Sequence, residues 1–302
     1  MHPIHPLSVA IASLLAGAAV PSFAQETASF AVTTELKATS DQRSRGVSDS
    51  FNRPGAKLSV QAAHESGFVG LAEFATVSKK QFLGGEGLGV TLAGGYRFGD
   101  PEGWHYGVGL ATELFPGASF EAPHGFDMAT GTPTDWRSTR YDSAFAIAEI
   151  GYGALEARAM NVISKTYRGA NTGGVCGTML SLMADPMPGL ACYARGDHNS
   201  RGSWLFDLGY KIDLNPTTAL NLHGGYQKIA NFKEANFADY SVGITHKRWG
   251  FNWSAEWMTT RTKVRELYPQ GGDTSRPAKP ARRCPRLDRF MHRGLRAVRW
   301  SH

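Results

Sequence analysis

The sequence has 302 residues, 42% of them hydrophobic and 19% charged, and a mean hydropathy of −0.29. These values suit a soluble protein, but they do not exclude a membrane β-barrel, whose strands alternate lipid-facing apolar with lumen-facing polar residues. The net charge of +6 is local: residues 276–302 hold nine Lys or Arg and one acid, so the remainder is slightly acidic and the basic balance does not point to nucleic-acid binding.

From the N-terminus, residues 7–20 form an uncharged apolar stretch followed by the small residues Ser22 and Ala24. The stretch is too short for a spanning helix and no stop-transfer pattern follows, so residues 1–24 read as a cleaved export signal. Helical periodicity is weak beyond it. Apolar and polar residues instead alternate with the period of two that marks strands. Strands are expected at about 29–39, 55–65, 68–78, 87–99, 104–115, 142–153, 154–164, 203–214, 218–230, 236–248 and 251–263. The connections alternate in length. Short ones at 65–67, 99–103, 153, 215–217 and 249–250 separate longer ones at 40–54, 79–86, 116–141, 165–202 and 230–236. An up-and-down antiparallel transmembrane barrel with short periplasmic turns and long external loops predicts this alternation, whereas a Greek-key sandwich does not. Eleven strands over residues 25–276, with a twelfth nearer the C-terminus, give the even number of single-chain bacterial barrels.

In the expected strand 203–214, Trp204, Phe206, Leu208, Tyr210, Ile212 and Leu214 share one face, and Asp207, Lys211 and Asp213 share the other. Aromatic residues Tyr96, Phe98, Trp104, Tyr106, Tyr152, Trp249 and Phe251 stand beside short turns, as in an interfacial girdle. The polar faces supply the candidate pore-lining residues. In the first half of the chain these are Glu35, Lys37, Glu73, Arg97 and Glu113; later come Glu156, Arg158, Asp207, Lys211, Asp213, His223 and Glu256. Both signs occur together, so electrostatic selectivity is expected to be weak. The same charges, paired across the lumen, would instead plug it.

Cys176 and Cys192 flank a loop rich in Gly, Pro and Met and are natural disulfide partners, whereas Cys284 lies apart. No zinc spacing, metal cluster or cofactor motif is present. Residues 277–302 break the pattern: Pro277, Pro280 and Pro285 each remove a ladder donor, and seven arginines fall between Arg282 and Arg299. A basic extension and a shifted reading frame both explain a tail of this kind.

Residues 39–50, beginning Thr39-Ser40-Asp41 and containing Arg45-Gly46-Val47-Ser48, then Pro54 and the turn His64-Glu65-Ser66-Gly67-Phe68, resemble the opening of the TorF-type family of outer-membrane porins. Similarity resumes at residues 161–165, 224–228 and 238–243. Gln42 stands where that family usually has Tyr. The resemblance implies a barrel in the cell outer membrane, in contact with its lipid and passing small solutes or ions, but names no solute. Its recurring residues Ser40, Asp41, Arg45, Gly46, Pro54, His64, Ser66 and Gly67 read as loop and turn structure, with Gly46 and Gly67 suiting positive φ.

A passive channel is thus the expected function. One alternative is a lipid hydrolase built on His64 and Ser66, which echo the His-x-Ser of outer-membrane phospholipases, though Gly67 follows where those enzymes carry Asn. Another is a structural or adhesive barrel acting through the loops at 116–141 and 165–202. Oligomeric state is not legible in the sequence.

Overall fold

The computed structural model describes residues 30–268. The expected export signal, the basic tail with Cys284 and the expected twelfth strand lie outside the described residues. In chain order, β1 (Phe30–Thr39) is followed by a small hairpin of β2 (Arg43–Ser44) and β3 (Val47–Ser48). Then come β4 (Gly55–His64), β5 (Phe68–Thr76), β6 (Leu88–Gly99) and β7 (Trp104–Leu114). A second hairpin, β8 (Ser119–Asp127) and β9 (Thr132–Arg140), precedes β10 (Ser143–Tyr152) and β11 (Leu155–Val162). Helices α1 (Thr172–Leu182) and α2 (Met187–Tyr193) lead to β12 (Trp204–Asn215), β13 (Thr218–Lys228), β14 (Phe237–Arg248) and β15 (Phe251–Thr262).

All eleven expected strands are present, and they pair in chain order as one antiparallel sheet, β1-β4-β5-β6-β7-β10-β11-β12-β13-β14-β15. Among the described residues β1 and β15 are its edges, with no ladder between them. Short turns join strands at one end and long loops at the other. Four of those loops carry structure of their own: β2–β3 lies in 40–54, β8–β9 in 116–141, the two helices in 165–202, and a 3-10 turn, Lys233–Ala235, in 230–236.

The alternation puts apolar residues on one face of the sheet and charge on the other, with burial reversed relative to a water-soluble sheet. Leu36 is 63% exposed and Leu110 61%, whereas the neighbouring-strand pair Lys37 and Lys57 are 8% and 5% exposed. The loop after β1 crosses to the far part of the sheet, where the Arg45 carbonyl accepts from Thr260 Oγ1 on β15 at 3.4 Å. The Arg45 side chain meets Asp207 on β12 and Asp239 on β14. The sheet is therefore curled, with its charged face concave.

The apolar core sits at the long-loop end of that concave face. There Phe145, Val162 and Leu205 from the strands pack with Val175, Met179 and Tyr193 from the helices. Asn171 caps α1 by accepting from the Gly174 amide at 2.8 Å, while its own amide donates to Thr139 at 2.7 Å. The expected disulfide joins α1 to α2 through Cys176 and Cys192, both buried. With a sequence separation of 16, the chain-entropy argument gives it about 3 kcal/mol. Reduction, or the Cys176→Ser and Cys192→Ser pair, is expected to speed hydrogen exchange across α1 and α2 while leaving the main-sheet amides protected; equal loss of protection in both would contradict this division.

Candidate functional site

Two Arg-Gly dipeptides aim guanidinium groups into the concave face. Arg45 (φ +51) and Gly46 (φ +76) are the two central residues of the β2–β3 turn, and positive φ at both is the twist-matched geometry of a tight hairpin. Gly46 is required twice over, because a Cβ there would lie 2.2 Å from Thr260 Oγ1. Asp41 fixes the loop by accepting from Ser48 Oγ at 2.5 Å, Ser50 Oγ at 2.8 Å and Arg43 Nε at 2.5 Å. Arg45 Nη1 then reaches Asp207 at 2.6 Å, Nη2 donates to the Phe206 carbonyl at 3.0 Å, and Asp239 lies 3.5 Å away. Gly225 clears the space, since a Cβ there would stand 2.8 Å from Arg45 Nη2. His223 completes this cluster, with Nε2 2.9 Å from Asp239 and 3.8 Å from Asp207.

A second layer lies toward the short-turn end of β6–β11. Glu149 on β10 takes Arg97 on one oxygen at 2.7 Å and Arg158 on the other at 2.6 Å. Arg97 crosses over β7 to do so. A third group joins Lys57 to Glu73 at 2.9 Å beside Ser59, with Lys37 the cross-strand partner of Lys57. Toward the long-loop end, Arg168 (φ +45) and Gly169 (φ +79) repeat the Arg-Gly device. Arg168 bonds both oxygens of Glu113, at 2.9 and 3.2 Å, and reaches Asp49 at 3.0 Å. It thereby ties the inserted 40–54 loop to β7.

The structure gathers most of the candidate lining residues. Arg97 and Arg158 meet through Glu149, Asp207 and His223 through Arg45 and Asp239, and Glu113 is taken by Arg168. Glu156 is half-buried beside Arg97 and Arg158. Glu35 is half-buried on β1, and Glu256 is exposed on β15. Lys211 and Asp213 are exposed near the end of β12 and pair with each other at 2.9 Å, away from the other groups. Of the loop residues, Ser40 and Pro54 are exposed, whereas Arg45 is a constituent of the charged cluster on the concave face rather than a turn residue only. The alternation alone puts Lys57, Glu149 and Asp239 on this face, and they belong with the candidates. Asp49 and Arg168 carried no comparable signal beyond the dipeptide Arg168-Gly169.

Three cavities follow one another along the concave face. An outer one of about 580 Å³ lies among β8–β9, α1 and the strand ends, a middle one of about 120 Å³ lies beneath Arg45, and an inner one of about 40 Å³ lies toward the short turns. Ser44, Arg45 and Tyr167 line both the outer and the middle cavity; Arg97, Glu149, Arg158 and Asp207 line both the middle and the inner. The volumes taper inward, and ion pairs stand at both junctions.

His64 Nδ1 lies 2.6 Å from Ser66 Oγ, an arrangement that also closes the turn preceding Gly67. A nucleophile-activating set needs a third group that orients the base, and among the described residues no carboxylate is hydrogen-bonded to His64. His64→Ala and Ser66→Ala are expected to change stability by less than about 0.5 kcal/mol, as turn residues; loss of a lipid-hydrolase activity in either variant would overturn this.

Burial pushes the Asp49 carboxyl up to about 6, against the pull of Arg168 and with Glu113 and Asp41 adding to the rise. Because the folded value lies above the ordinary 3.8, the contribution of Asp49 to stability is fully present below about pH 4 and is lost as pH rises through about 6. Asp49→Asn is expected to flatten this part of the pH dependence, measured as denaturation midpoints from pH 4 to pH 7. Identical pH profiles for the two proteins would contradict it.

Residues 23–277 match the family model described as a bacterial protein of unknown function (Gcw_chp), and the chain belongs to that family. No curated protein and no solved structure matches the chain.

Proposed function

We propose that this Gcw_chp-family chain is a β-barrel of the bacterial outer membrane, closed around its charged face, through whose narrow lumen small solutes pass passively. The observation that carries the proposal is the row of three cavities sharing walls along the concave face, from the long loops to the short turns. Closure is supported by the reach of the loop after β1 to β12, β14 and β15. Backbone groups at an open sheet edge have no partner in hydrocarbon, so a sheet in the membrane must close.

Membrane insertion is supported by the apolar outer face. Exposed Leu36, Val108, Leu110, Leu208 and Ile244 exceed what a soluble monomer leaves to water. Near the short turns, exposed aromatics touch laterally: Phe68 and Tyr96 at 5.2 Å, Phe98 and Tyr106 at 5.5 Å, Trp104 and Tyr152 at 5.2 Å. Rings in such a band suit the membrane–water interface. The resemblance of residues 39–68 to outer-membrane porins agrees with this assignment.

Proteoliposomes test the proposal. Refolded protein should accelerate the escape of small trapped solutes and leave larger ones inside. Vesicles no leakier than protein-free controls would overturn it.

A further inference from the structure

The middle cavity is not lined as a water-filled pore is. Its charged residues stand at the rims: Glu113 toward the long loops, and toward the short turns Arg97, Glu149, Arg158 and Asp207, which share one row of strand partners, with Arg45 set on Asp207. Between them, the inward positions of six successive sheet strands are Leu71, Ala93, Ala111, Ile147, Met160 and Leu205. Strand register sets them in two adjoining rows: Leu71 opposes Ala93, Ala93 opposes Ala111 and Ala111 opposes Phe145, while Gly109 opposes Ile147, Ile147 opposes Met160 and Met160 opposes Leu205. Gly95 and Gly109 face each other directly in the same wall and contribute no side chain, which leaves room in front of them. A water molecule needs two to four polar partners, and a cavity walled by aliphatic side chains stays dry; one of about 150 Å³ lined by Leu, Ile and Phe accepts benzene.

From this wall we infer that the middle of the lumen is a binding cavity for a small uncharged apolar molecule, of about the size of a benzene ring. The outer cavity suits its capture, because Phe120, Trp136, Tyr141 and Tyr193 line it and open apolar ring surface at the long-loop end. The ion pairs of Glu149 form the floor, so passage toward the short turns requires them to part. An ion in this cavity exchanges its hydration for aliphatic contacts and is disfavoured. The inference rests on the proposed lumen and names its solute class.

The test is saturable binding of fluorobenzene to detergent-refolded protein, followed by fluorine NMR with empty micelles subtracted. Ala93→Leu and Ala111→Leu put side chains into the cavity and are expected to weaken binding at least about tenfold. Met160→Ala enlarges the cavity and should admit the larger fluoronaphthalene. Heat-dependent gel mobility verifies that each variant folds, and a variant that fails to fold is replaced in the comparison by Met160→Ala. Absence of saturable binding in the wild-type protein, or binding indifferent to both leucines, would overturn the inference. Solute escape from proteoliposomes without fluorobenzene binding leaves the channel standing and removes the inference. Binding without escape does the reverse.

Discussion

Arg45→Ala is expected to enlarge the passage and to destabilise the protein together. The guanidinium occupies the junction of the outer and middle cavities and is 6% exposed, so its removal joins the two spaces. It also removes the cation that lies between Asp207 and Asp239, both of which His223 approaches. Breaking a buried pair by deleting one partner costs about 3–5 kcal/mol, because the surviving charge keeps its desolvation penalty. Arg45→Lys restores charge without the forked geometry that meets Asp207 and the Phe206 carbonyl together, and should fall between the two. Denaturant midpoints and solute escape measured on the same preparations check both halves. If Arg45→Ala matches the wild-type protein in both, Arg45 is not the constriction.

The second large effect is expected on the outer face. Leu110 on β7 and Leu208 on β12 are exposed, and substitution of a water-exposed leucine by arginine ordinarily changes stability by no more than about 0.5 kcal/mol. In a bilayer the same change costs about 2–4 kcal/mol near the midplane. Leu110→Arg and Leu208→Arg lie on strands separated in the sheet by β10 and β11, so their effects should add, to roughly 4–8 kcal/mol. Urea-dependent folding into lipid vesicles measures this. A double variant as stable as the wild-type protein would mean that this face meets water.

The elements that the sequence reveals are those whose pattern is set by the two faces of the sheet. All eleven main-sheet strands follow from period-two alternation, with ends displaced by at most about two residues. The β8–β9 hairpin has no such pattern: β9 reads Thr132-Pro133-Thr134-Asp135-Trp136-Arg137-Ser138-Thr139-Arg140 and is almost wholly exposed. Helix α1 contains Gly173, Gly174 and Gly177, which disfavour a helix intrinsically; the Asn171 cap, the disulfide and packing against β8 hold it instead. Those are tertiary causes that local pattern does not carry. Arg45-Gly46 is legible as a turn, but the destination of its side chain depends on Asp207, 162 residues away. The spacing of Cys176 and Cys192 around one loop was sufficient for their pairing, because a short loop leaves few geometries.

The central claim is that one face of this sheet meets lipid while the other lines an enclosed lumen. Single cysteines at successive positions 205–211 of β12, each spin-labelled in vesicles with the Cys176–Cys192 disulfide intact and Cys284→Ser in the background, test it most directly. Collision with dissolved oxygen should peak at Phe206, Leu208 and Tyr210 and fall at Leu205, Asp207 and Gly209, repeating with a period of two. High accessibility to a water-soluble nickel complex at Phe206, Leu208 and Tyr210, with no oxygen preference, would contradict it.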